Sequence, residues 1–140
     1  MDASLIPEKL EALRRCIARI EEKRPPDAKA LAADPDRQDI IALNLQRAVQ
    51  LCVDIAAYVV AESNEAAPAT MGEFFDALAR MNVISADLAG RMRKAVGFRN
   101  IAVHAYRTID WDIVFEIAQH RLTDFRDFAR SVTAETKRKT

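Results

Sequence analysis

Across residues 35–62, apolar side chains recur at three- and four-residue steps: Ile41, Leu45, Ala48, Cys52, Ile55 and Val59. That period belongs to one face of an α-helix. Ala42, Val49, Val53, Ala56 and Val60 widen the face into a broad arc. A helix apolar over so wide an arc has to be covered, either centrally in a bundle or between copies of the chain. Its polar edge, Asn44, Arg47 and Asp54, reads as a solvated or an interhelical boundary.

The remaining segments follow the same logic. A first helix is predicted over 7–23, with Pro7 in its first turn and a stripe of Leu10, Leu13, Ile17 and Ile20. Pro25-Pro26 ends it. Residues 24–34 form a connection in which 28–33 has room for a short helical turn. Asp34-Pro35 then reads as an N-cap followed by proline at the first position of the 35–62 helix. After a loop at 63–69, Thr70 and Glu73 match a capping box that opens a short third helix carrying Phe74, Phe75, Leu78 and Met81. Ser85 caps a fourth helix to about 106, with Leu88, Met92, Ala95, Val96 and Val103 as its apolar positions. Asp110 caps a fifth to about 134, with Trp111, Phe115, Ala118, Leu122, Phe125 and Ala129 as its stripe. Only three of 140 residues are glycine, and Ala, Leu, Ile and Arg abound. The expectation is an all-α, up-and-down bundle of about five helices forming one domain over 1–140.

The charge balance narrows the function. Lys plus Arg and Asp plus Glu each number 21, for a net charge of zero. That excludes a chain whose whole surface coats nucleic acid, but not one with a local basic site. Between Arg91 and Arg107 lie Arg91, Arg93, Lys94, Arg99 and Arg107 with no acidic residue. A second basic cluster, Lys137-Arg138-Lys139, reads as a solvated helix end. Residues 1–8 are acidic and lack a leader's apolar stretch, and no uninterrupted apolar run approaches the roughly 18–20 residues that span a bilayer. The expected location is the cytoplasm, away from membranes. Cys16 and Cys52 fall on apolar stripes and read as reduced core residues. They share no metal-ligand spacing with each other or with His104 and His120, so neither a metal nor another cofactor is expected. His120 reads as a surface or interhelical residue, and Trp111 as core.

Residues 99–106 read Arg-Asn-Ile-Ala-Val-His-Ala-Tyr and carry the chemistry. On a regular helix, Arg99 and His104 stand about 140° and about 7.5 Å apart. They would serve one ligand through the reach of the arginine, through distortion of the helix end, or by two copies facing each other. An arginine can neutralise and orient a phosphorane, and a histidine can move protons near neutral pH. Cleavage of RNA by its own 2′-hydroxyl needs those two services and no metal. Without that chemistry, Arg99 is a solvated residue, His104 a partner of the helix dipole, and Tyr106 a half-buried anchor.

The run Gly-Phe-Arg-Asn-Ile-Ala-Val-His-Ala-Tyr-Arg-Thr-Ile-Asp over 97–110 resembles the core of the HepT family of HEPN-domain ribonuclease toxins. The long apolar helix, the Phe-rich short helix and the closing helix agree with it in pattern. The resemblance implies a HEPN-fold homodimer that cleaves tRNA or mRNA without metal, the toxin of a type VII toxin–antitoxin pair. It implies Arg99 and His104 as the catalytic pair and Asn100 as a supporting polar residue. It further implies an MntA-type nucleotidyltransferase antitoxin that silences the toxin by transferring AMP onto Tyr106. Arg93, Lys94 and Arg107 are candidates for an RNA-binding surface. A non-catalytic HEPN module that binds and regulates a nucleotidyltransferase, and a purely structural helical dimer, are the alternatives.

Overall fold

The computed structural model describes residues 5–139. Residues 1–4, half of the 1–8 stretch expected to carry no leader, lie outside them. The described residues contain seven α-helices and no strand: α1 (Leu5–Lys23), α2 (Ala28–Ala32), α3 (Pro35–Ala61), α4 (Met71–Arg80), α5 (Ala86–His104), α6 (Trp111–His120) and α7 (Leu122–Lys139). A 3₁₀ turn, Tyr106–Thr108, links α5 to α6.

Helix α3 is the axis of the bundle, and α1, α4, α5, α6 and α7 all pack on it. Its apolar arc is buried, with Ile41, Ala42, Ala48, Cys52, Ile55 and Ala56 fully covered. By length and composition alone α3 would cross a membrane, although the sequence showed no uninterrupted apolar run long enough. Gln46, Arg47, Gln50 and Asp54 interrupt it, and its apolar positions are spent on neighbouring helices. The opposite wall of the core includes Phe75 of α4 and Phe128 of α7, which meet edge to face at a centroid distance of 5.6 Å.

Local chemistry sets most boundaries. Asp27 accepts a hydrogen bond from the Ala30 amide and starts α2. Asp34 does the same for Arg37, ahead of Pro35, and Ser85 for Leu88. The expected capping box between Thr70 and Glu73 does not form. Thr70 makes no side-chain cap, while the Glu73 carboxylate accepts from the Ala69 amide at 3.1 Å. Asn82 takes φ of 60° in the turn between α4 and α5, a conformation its short polar side chain tolerates.

Three expectations are corrected. The predicted fifth helix divides at Arg121 into α6 and α7. The Arg24 guanidinium donates to the Ala118 carbonyl at 2.9 Å, satisfying an acceptor near the end of α6. The fourth helix stops at His104, because Ala105 (φ −144°, ψ 47°) leaves helical geometry. Val103, expected to be apolar and packed, is exposed, as is its neighbour Ile101.

Candidate functional site

The 99–106 motif occupies the last turns of α5 and the 3₁₀ turn beyond it. Arg99 is half-buried against α3. Its Nη2 donates to Gln50 Oε1 at 3.2 Å, and its Nη1 donates to Asn100 Oδ1 at 3.2 Å. Both acceptors are neutral, so the full guanidinium charge stays available to an anion. Elsewhere arginines are commonly matched with carboxylates: Arg14 with Glu11, Arg80 with Glu65, Arg126 with Glu21 and Arg138 with Glu135.

His104 is the last residue of α5. It is exposed and makes no hydrogen bond or ion pair among the described residues. Both of its ring nitrogens are therefore without a protein partner among the described residues. Tyr106, 38% exposed, begins the 3₁₀ turn. Its hydroxyl donates to Asp39 Oδ1 at 2.5 Å, and its ring meets Trp111 edge to face with centroids 5.8 Å apart. Partial burial and then the Asp39 carboxylate push the Tyr106 phenol up to about 12. Trp111, expected in the core, is half-buried and serves as a wall for Tyr106.

Asp39 and Gln50 are the residues that sequence reasoning missed. Eleven residues apart on α3, they return to the same face after about three turns, roughly 16.5 Å along the axis. Arg99 grips one end of that stripe and Tyr106 the other. Of the polar edge read from sequence, Asn44 is buried and donates to the Ile40 carbonyl at 2.8 Å. Arg47 is exposed, and Asp54 accepts from Gln50 at 2.9 Å and from Lys9 at 3.5 Å.

The basic run around the motif is divided among several faces. Arg91 is matched with Asp124, with Asp87 at 3.0 Å and with Asp127 at 3.8 Å. Arg93 pairs with Asp76 of α4. Lys94 is exposed and lines a groove between α5 and α6 together with Ile101 and Ile113. Ile101 follows Arg99 by two residues, about 200° around the helix, so this groove is on the far side of α5 from the guanidinium. Arg107 alone of the three candidates is next to the motif's end, exposed in the 3₁₀ turn. His120 is on the surface, 3.9 Å from Glu116. Among the described residues, no three His, Cys, Asp or Glu side chains gather as a metal-binding group.

Residues 13–132 match the ribonuclease HepT-like family. The chain is 37% identical over 131 residues to the mRNA nuclease HepT of Shewanella oneidensis, covering 94% of this chain and 98% of that protein. A tri-AMPylated Shewanella oneidensis HEPN toxin, solved in complex with an MNT antitoxin, superposes with a TM-score of 0.88. It is 36% identical, over 96% of this chain and 99% of its own. The cytosolic protein YutE of Bacillus subtilis, of unknown function, superposes with a TM-score of 0.86 at 14% identity over 99% of this chain and 93% of its own, and shares the fold alone. With its all-helical bundle and its Arg-x4-His-x-Tyr run at the end of α5, the chain belongs to the ribonuclease HepT-like family.

Proposed function

We propose that the protein is a HepT-type toxin, a single-domain cytoplasmic endoribonuclease that cuts mRNA or tRNA without a metal. The observation that carries this reading is the contrast at the end of α5. Arg99 is held by two neutral acceptors and keeps its charge, while His104 has both ring nitrogens free. In the reaction, the RNA 2′-oxygen bonds to the adjacent phosphorus and the bond to the 5′-oxygen breaks, leaving a 2′,3′-cyclic phosphate. His104 takes the 2′-hydroxyl proton or gives one to the leaving oxygen. In a homodimer, the second copy's histidine supplies the complementary step. Arg99 neutralises the charge that builds on the phosphorane, and Asn100 keeps its fork oriented. Arg107 extends the phosphate-facing edge.

Silencing follows from the other anchor. An MntA-type nucleotidyltransferase partner transfers AMP from ATP to Tyr106. The phenol oxygen bonds to the α-phosphorus, pyrophosphate leaves, and the phenol proton passes to Asp39, which already accepts its hydrogen bond. The added phosphate places negative charge and a bulky nucleoside at the end of the motif and repels RNA there. The tri-AMPylated state of the Shewanella oneidensis toxin supports this assignment.

Cleavage of total tRNA and a defined mRNA in EDTA tests the reading, using protein of unmodified intact mass beside folded His104→Ala. Cutting by the wild type alone, with cyclic-phosphate ends, is expected. Equal cutting by both proteins would remove His104 from the chemistry. No cutting by either would favour the non-catalytic regulatory module. Incubation with ATP and the cognate antitoxin should raise the intact mass by AMP units in wild type and not in Tyr106→Phe.

A further inference from the structure

Between α1 and α3 lies a hollow of about 590 Å³ lined by Arg15 and Arg19 of α1 and by Arg47 and Gln50 of α3, with Ala12, Cys16 and Leu51 as its apolar floor. Arg19 is neutralised by Glu22 at 3.1 Å. Asp54, the carboxylate at the rim, is neutralised by Lys9 at 3.5 Å. Arg15 and Arg47 make no hydrogen bond or ion pair among the described residues, yet both guanidiniums bear on the Cys16 thiol from opposite helices. Burial pushes that thiol up, and the two arginines partly offset it. Two unpaired cations thus face one concavity whose single carboxylate, Asp54, is paired with Lys9.

The hollow is continuous with the motif. Gln50 lines it and also accepts the hydrogen bond from Arg99. A strand passing Arg99 would enter it along α3 beside Asp54, whose charge Lys9 offsets. We propose that this hollow is a phosphate subsite for substrate RNA. Arg15 and Arg47 hold the backbone of nucleotides flanking the cleaved bond, and the apolar floor seats a base or ribose. The inference rests on the ribonuclease reading for its substrate but not for its geometry. A pair of arginines holding two phosphates contributes affinity that falls with salt, because bound counterions are released.

Binding of fluorescent single-stranded RNA to catalytically silent His104→Ala, followed by anisotropy across a salt series, tests the subsite. Adding Arg15→Gln and Arg47→Gln should weaken binding about tenfold at low salt and lower the slope of log K against log salt by about 1.4, two phosphates on a single strand. Arg130→Gln, an exposed arginine beside Asp127, should change neither. With His104 intact, the double variant should lower the ratio of kcat/KM on long RNA to kcat/KM on a dinucleotide about tenfold. Unchanged affinity and slope would overturn the proposal. An equal loss on both substrates would also overturn it, placing the arginines at the cleaved bond. Loss of a dimer in sedimentation would overturn it too, making the hollow an interface between copies. Arginine-dependent binding without any cleavage by wild type would uphold the subsite and refute the ribonuclease reading alone.

Discussion

Gln50→Leu isolates the neutral clamp on Arg99. The replacement keeps the bulk of the side chain and the helix but deletes the acceptor 3.2 Å from Nη2. A hydrogen bond from a charged donor contributes about 1.5–3 kcal/mol when well formed. This one is at the long end of the range and half-buried, so about 1–1.5 kcal/mol is the appropriate figure. Lost from the transition state, that amounts to about a fivefold to tenfold fall in kcat/KM. Asp54 loses its bond from Gln50 at 2.9 Å but keeps Lys9, so unfolding free energy should move by less than about 1 kcal/mol. Steady-state cleavage of a fluorescent RNA, beside a urea melt of the same protein, separates the two effects. Cleavage within twofold of wild type, with an unchanged melt, would show that Arg99 needs no positioning by α3. The argument from its neutral partners would then fail.

Other consequences follow from the burial and charge of individual groups. The folded protein holds the Tyr106 phenol neutral up to about 12, so its contribution is full below about pH 10 and is lost as pH rises through 12. The ultraviolet tyrosinate titration of Asp39→Asn should show that group ionising earlier, and an identical curve would remove Asp39 as a cause. Asp124 is buried beside Arg91, and Asp124→Ala should cost about 2 kcal/mol, less than a fully buried pair because Arg91 retains Asp87. A shift under about 0.5 kcal/mol in urea unfolding would count against it. Cys52 is wholly buried and its thiol is pushed well above the ordinary range by burial and by Cys16. It should react with a thiol reagent only at the rate of unfolding, and fast labelling in native buffer would contradict that packing.

The sequence was most legible where the determinants are local. Asp34-Pro35 and Ser85 start helices because a side chain reaches an amide three residues on, and that reach is written in the order of residues. The arc of α3 was legible because burial over most of its circumference leaves few positions for polar groups. The division at Arg121 was not, since neither glycine nor proline marks it and the residue that caps Ala118 is 94 positions away. The same holds for the site. Arg99, His104 and Tyr106 lie in one octapeptide, but their partners Gln50 and Asp39 are 49 and 67 positions distant. The clue available was the eleven-residue spacing that puts Asp39 and Gln50 on one stripe of α3, on a helix whose other faces are apolar.

The stop at Ala105 explains how one short motif holds two such distant points. On an unbroken helix, Tyr106 would follow Arg99 by seven residues, about 10.5 Å along the axis and nearly in line with it. Asp39 and Gln50 are about 16.5 Å apart along α3. The helical motif is therefore too short for its own anchors by about 6 Å. Opening the chain at Ala105 and continuing in a 3₁₀ turn, with its rise of about 2.0 Å per residue, supplies part of the difference, and the length of the tyrosine side chain supplies the rest. The hydrogen bond to Asp39 is then what returns the opened turn to α3. Tyr106→Phe keeps the ring against Trp111 but deletes that donor. Amides of 105–109 should exchange with deuterium several-fold faster in this variant, while those of α3 and α4 keep their protection. Unchanged exchange at 105–109 would mean that Trp111 alone holds the turn, and that the hydroxyl is free for chemistry without any structural consequence.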